Sequence, residues 1–118
     1  FGPGCEQGLA DADRVLRPGG VLAIVDLDVR HPPYGDWMRA DLPTYDPDEV
    51  DRFFSRMGFS RRTVGTRWRF ADRTSLESVL RIEFSARVAD RAVRMVRGLE
   101  FPVGYRVLTR RKPSGLII

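Results

Sequence analysis

Apolar residues near the start of the chain recur at helical spacing, with Leu9, Ala12, Val15 and Leu16 falling on one face. Pro18 pushes Arg17 out of the helical region, so this helix must stop near residue 17. Gly19 and Gly20 can take positive φ without a Cβ clash and let the chain reverse within two residues. Val21-Leu22-Ala23-Ile24-Val25 is then uniformly apolar instead of alternating. That pattern predicts a strand covered on both faces, in a mostly parallel sheet. Asp26 ends it, at the edge where open α/β sheets place their ligands.

The polarity then changes. Asp28 to Tyr45 reads as a long loop rich in Pro, Asp and aromatics, with room for a short helical turn about Trp37 and Met38. Loops of this length are often functional. Asp46-Pro47-Asp48-Glu49 supplies a cap, a proline at the first helical position and an acidic first turn. Val50, Phe53, Phe54 and Met57 follow on one face, and Gly58 is a natural left-handed stop. Residues 60–70 alternate, with Val64, Thr66, Trp68 and Phe70 on one side and Thr63, Gly65, Arg67 and Arg69 on the other.

Thr74-Ser75-Leu76-Glu77 repeats the capping-box pattern and predicts a helix with Leu76, Val79 and Leu80 inward. A second helical run from Ser85 carries Val88, Ala92, Met95 and Val96 to a stop at Gly98, with Arg87, Arg91 and Arg94 as a solvated outer stripe. Residues 101–109 alternate again, with Phe101, Val103, Tyr105, Val107 and Thr109 on one face. This last strand is expected to pair antiparallel with 60–70.

Length and charge narrow the reading. The chain of 118 residues is one domain at most, and 42% hydrophobic with 31% charged residues suits a packed core. No apolar run approaches the ~18 residues that span a bilayer, and no basic-then-apolar leader opens the chain; a cytoplasmic location without membrane contact is expected. One cysteine and one histidine exclude an internal disulfide and a structural zinc site. Cys5 itself reads as a small buried hydrophobe on the first helix. The net charge of +4 would suit nucleic acid. However, all basic residues except Lys112 are arginines interleaved with 16 acids, so a salt-bridged surface is expected instead of a nucleic-acid interface. The opening Phe1-Gly2-Pro3-Gly4 reads as the middle of a loop, so the chain is expected to be a piece of something longer.

The junction Leu16-Arg17-Pro18-Gly19-Gly20 into Val21–Val25 resembles class I S-adenosylmethionine-dependent methyltransferases. In that family a helix ending in Leu-x-Pro-Gly-Gly leads into the fifth strand of a Rossmann-like sheet. Asp46 through Phe53-Phe54 to Gly58-Phe59 is similar to the family's late helix, and Tyr105-Arg106-Val107-Leu108 before Arg110-Arg111-Lys112-Pro113 resembles its last strand. The resemblance spans about Cys5 to Pro113. It implies an α/β fold, the C-terminal half of a Rossmann-like methyltransferase fold. One parallel-type strand would lie beside an antiparallel pair, the sixth and seventh strands, with helices on the faces. Residues 1–118 would be the C-terminal portion of a single methyltransferase domain, with a helical insertion at about 72–98. The implied activity is transfer of a methyl group from S-adenosylmethionine to an unidentified small acceptor.

The family's cofactor loop has no counterpart here. No Gly-x-Gly-x-Gly follows a strand, and Pro3 lacks an N–H to donate. No residue is therefore assigned to the cofactor. S-adenosylmethionine is expected of the full-length protein only, and this portion alone is expected to be inactive. The resemblance places acceptor-facing residues at the end of the strand and in the following loop. His31 and Asp26 are the catalytic candidates, and Asp28, Tyr34 and Trp37 the substrate-binding ones. His31 is the only side chain with an unperturbed pKa near neutrality. Four of the five have a structural alternative: His31 as an exposed loop residue, Asp26 as a structural carboxylate at a helix end, Tyr34 and Trp37 as local core.

The same resemblance puts the fifth strand between the fourth and seventh. With the fourth missing, the 21–25 edge is expected to be unpaired and apolar, a pairing hazard. A second copy, the missing N-terminal half or a swapped segment would cover it, and the apolar Leu116-Ile117-Ile118 tail would join that contact. The alternative function is a non-catalytic α/β interaction module that uses the half-fold for assembly.

Overall fold

In a computed structural model, which describes residues 2–114, α1 (Glu6–Val15) gives way at Leu16 to extended backbone. Gly19 takes φ +79° to make the reversal, and β1 (Val21–Leu27) follows. Gly20 serves closeness instead of handedness, since a Cβ there would lie 2.9 Å from the Arg17 carbonyl oxygen. Within α1 only Leu9 is buried; Val15 faces solvent, and Cys5 stands half-buried at the cap position, ahead of the helix instead of on its apolar face.

The remaining elements are α2 (Tyr34–Asp41), α3 (Pro47–Arg56), β2 (Ser60–Arg69), α4 (Arg73–Glu83), α5 (Ala86–Met95) and β3 (Glu100–Arg111). The protein is a mixed α/β structure with five helices and one three-stranded antiparallel sheet among the described residues. Strand order is β1-β3-β2. Gly20 and Lys112 pair at one end of the β1–β3 ladder and Asp28 and Gly104 at the other, so β3 runs against β1. Phe70 pairs with Leu99 while Thr66 reaches Val103, so β3 runs against β2 as well, as the alternation at 60–70 and 101–109 predicts.

β1 departs from the expectation of two covered faces. Leu22 and Ile24 turn inward, whereas Val21, Ala23 and Val25 are exposed, Val25 to 61%. A uniform apolar run reports which residues are present, not what lies over them, and here one face is left bare. β1 is also an edge strand of the sheet, next to β3 among the described residues.

The stretch expected to be a long loop contains the eight-residue α2. Burial of Tyr34 and Trp37 outweighs the loop signals around them, a tertiary override of local propensity. α4 and α5 occupy the helical segment expected at about 72–98. The cap of α4 is Asp72, whose carboxylate accepts from the Ser75 amide at 2.7 Å, instead of Thr74. Ser85 caps α5 through the Val88 amide. That helix ends at Met95, short of Gly98, because the Arg73 guanidinium reaches across to the carbonyls of Val93, Val96 and Gly98 and satisfies the open end. Ala89, not the exposed Met95, completes its buried face.

Contacts divide the chain into two units. The first draws on the described residues of 1–26, 46–62 and 106–118. Val50, Phe53 and Phe54 of α3 pack there with Phe59 and Leu108, the aromatic rings edge to face at 5.1 and 5.4 Å. The second comprises residues 27–45 and 63–105. Its core is an aromatic group of Tyr34, Trp37, Phe84 and Phe101, walled by Leu76, Leu80, Val88 and Val103. Along β3 the buried positions are Phe101 and Val103, then Gly104, Arg106 and Leu108; Val107 and Thr109, expected inward, are only half-buried. The alternation changes phase because the two halves of the strand serve different cores. No helix among the described residues is long and apolar enough to cross a membrane. Leu116-Ile117-Ile118 lies outside the described residues.

Candidate functional site

Four of the five candidate residues belong to the second unit, and Asp26 belongs to the first. After β1, the Asp28 carboxylate accepts the Arg30 amide at 3.0 Å, the Asp28 carbonyl accepts the His31 amide, and the His31 carbonyl accepts the Gly35 amide. This chain of turns delivers the backbone into α2. His31 is half-buried and packed on β3: a Cβ at Gly104 would overlap its Cβ and Cγ, and its Cε1 lies 3.7 Å from where a Gly65 Cβ would be. Its placement thus depends on an absent side chain at residue 104.

Tyr34 and Trp37 are core residues, 1% and 2% exposed. The Tyr34 ring meets Trp68 at 4.9 Å and Phe84 at 5.1 Å, and its hydroxyl donates to Glu83 Oε2 at 2.7 Å. Burial, followed by that carboxylate, pushes the phenol well above its ordinary value. Tyr34 is therefore a hydrogen-bond donor at neutral pH and not a proton acceptor. Trp37 Nε1 is buried without a hydrogen-bond partner among the described residues.

Asp26 sits 3.7 Å from the guanidinium of the buried Arg106, which also pairs with Asp51. Arg61 reaches Asp51 at 2.5 Å. The Asp26 carboxylate thus stands beside a buried cation.

A cavity of about 380 Å³ opens within the second unit, in the size range of small-molecule sites. Leu27, Met38, Leu42 and Phe84 form its apolar wall, and Tyr34, Asp41, Glu83 and Ser85 bring polar atoms to it. Asp41, at the end of α2, accepts from the Ser85 amide at 2.7 Å and from its hydroxyl at 2.6 Å. Of this set only Tyr34 is a sequence candidate. Asp41 and Ser85 meet across 44 positions, and Glu83 meets Tyr34 across 49, with no local pattern to announce either contact.

The Ser85 hydroxyl, then its amide, hold the Asp41 carboxyl below its ordinary value of 3.8. A carboxylate whose folded pKa is depressed stabilises the fold above its unfolded value and loses that contribution as pH falls through the folded one. The Tm is therefore expected to fall as pH drops below 3.8. Asp41→Asn should make that fall shallower but not abolish it, because the Ser75 amide depresses Asp72 in the same direction. Thermal melts at stepwise lower pH check this, and parallel curves for the two proteins would count against it.

The glycines with positive φ among the described residues are Gly2, Gly4, Gly19 and Gly58. None of them joins the end of a strand to the start of a helix, the turn that brings backbone amides against a dinucleotide-like cofactor. Among the described residues, then, no positive-φ glycine supplies such a turn. Nor does any group of three or more His, Cys, Asp or Glu among them suit a metal ion. No protein-family model, curated protein or solved structure matches the chain.

Proposed function

We propose that these residues form the acceptor-side portion of an S-adenosylmethionine-dependent methyltransferase domain, acting on a small molecule in the cytoplasm. The observation that carries this reading is the strand order β1-β3-β2, with β3 antiparallel between its neighbours. The fifth strand of that family lies beside the seventh, and the seventh pairs antiparallel with the sixth; in this reading β1, β3 and β2 would stand for the fifth, seventh and sixth, and their order supports it. The Leu16–Gly20 turn leads into β1 as the resemblance requires, and the open edge of β1 is where a fourth strand would add. The arginines support a metabolite over a nucleic acid. Arg67 and Arg69 share Glu100, Arg81 pairs with Asp90 and Arg61 with Asp51, a mixed surface instead of a basic one.

Calorimetric titration tests the reading. The natural full-length protein that carries these residues is expected to bind S-adenosylmethionine saturably, and the 118-residue chain alone to give no heat. A silent full-length protein would overturn the proposal, and heat from the short chain would move the cofactor site into these residues.

The exposed Val21 and Val25 and the edge position of β1 among the described residues favour a second reading, a non-catalytic module assembled through that strand. Stable dimers by light scattering, together with a full-length protein that ignores the cofactor, would select it.

A further inference from the structure

The cavity of the second unit differs in charge from those of the first. Three cavities among the described residues of the first unit are each lined by two arginines, whereas no basic side chain lines this one. Two carboxylates do, in a chain of net charge +4. Those two are not equivalent. Asp41 is occupied, with both oxygens taken by Ser85 and the Arg87 charge near it. Glu83 gives one oxygen to the Tyr34 hydroxyl and has no cationic partner among the described residues. It is also the last residue of α4, whose open carbonyl end carries partial negative charge. An uncompensated carboxylate at the negative end of a helix, beside an apolar wall of Leu27, Met38 and Phe84, is complementary to a cation on an apolar body.

We propose that this cavity binds a small organic ammonium, with Glu83 holding the nitrogen and the apolar wall holding an aromatic or aliphatic body. That the ammonium compound is the methyl acceptor rests on the function proposed above; that it binds here does not. Tyr34 is a positioning residue, because its hydroxyl fixes the Glu83 carboxylate while the second oxygen remains for the ligand.

The test uses the 118-residue chain and no cofactor, so its failure is separate from failure of the methyltransferase reading. 2-Phenylethylamine, 2-phenylethanol and phenylacetate share one apolar body and differ in charge. Titrated with amide shifts followed by NMR, only the amine is expected to saturate, with shifts gathered at Met38, Asp41, Glu83 and Phe84. Glu83→Gln keeps an acceptor for Tyr34 and removes the charge, and should weaken the amine about tenfold or more. Met38→Trp, which fills the cavity, should abolish binding. Equal binding of the alcohol, preference for phenylacetate, an unchanged affinity in Glu83→Gln, or shifts located elsewhere would each overturn the proposal.

Discussion

Replacing Arg106 with alanine is expected to destabilise the protein by about 3 kcal/mol, the lower end of the cost of breaking a buried ion pair by removing one partner. Arg106 is 3% exposed. Its guanidinium pairs with Asp51 and lies 3.7 Å from Asp26, so the second attraction is Coulombic and not a hydrogen bond. Both carboxylates keep some water, at 17% and 22% exposure, which is why the upper end of the range is not expected. Loss of the arginine leaves two acids facing one another across its vacated space. In a chain of this length the effect corresponds to a fall in Tm of roughly 10 °C, readable by calorimetry or urea denaturation. Arg106→Met separates volume from charge, since it refills most of the space and removes the buried cation from Asp26 and Asp51, while Asp51 keeps Arg61. It should recover only a minor part of the loss. Full recovery would show that the carboxylates relax into solvent and that the pairing contributes little.

Gly35→Ala is expected to cost about 3 kcal/mol by overpacking, although helix propensity alone predicts a gain of up to about 1 kcal/mol. Gly35 is the second residue of α2 and is buried. A Cβ there would overlap the Val29 carbonyl oxygen and lie 2.6 Å from its carbon and 2.9 Å from the Asp28 oxygen. Those are backbone atoms, tied into the turn by the His31 amide bonded to the Asp28 carbonyl and the Gly35 amide bonded to the His31 carbonyl. No side chain can yield. The start of α2 must move, and Tyr34 and Trp37 move with it, so the near-ultraviolet circular dichroism should change along with the melting temperature. The sign decides: a stabilised Gly35→Ala variant would mean that the turn does not approach α2 this closely.

Punctuation residues made much of the fold legible. Pro18-Gly19, Asp46-Pro47 and Gly58 each mark a boundary through their own backbone chemistry, and the Val50, Phe53, Phe54 face needs only helical spacing to be found. Residues whose role depends on distant partners were not legible. Gly35 reads as a loop residue until the Val29 carbonyl lies against it. Arg106 occupies a polar step in an alternating strand and turns out buried, because acids from β1 and α3 meet it there. At the site, the cluster of His31, Tyr34 and Trp37 was visible from its position after β1. Which of them would face a cavity was not, since that depends on α4 and α5, some 50 residues later.

Lys112 donates to the Asp13 and Leu16 carbonyls at the end of α1, and Arg110 reaches Asp13 and the Met57 carbonyl. The first unit is thus tied shut by the far end of β3. On the ribosome, its phenylalanine face has been translated long before the strand that completes it, whereas the second unit is complete once Tyr105 has emerged. Earlier segments usually fold first, but neither unit here is complete before β3 is made: Tyr34 and Trp37 wait for Phe101, and Phe53 and Phe54 stay open to trigger factors and holdases until Leu108 arrives.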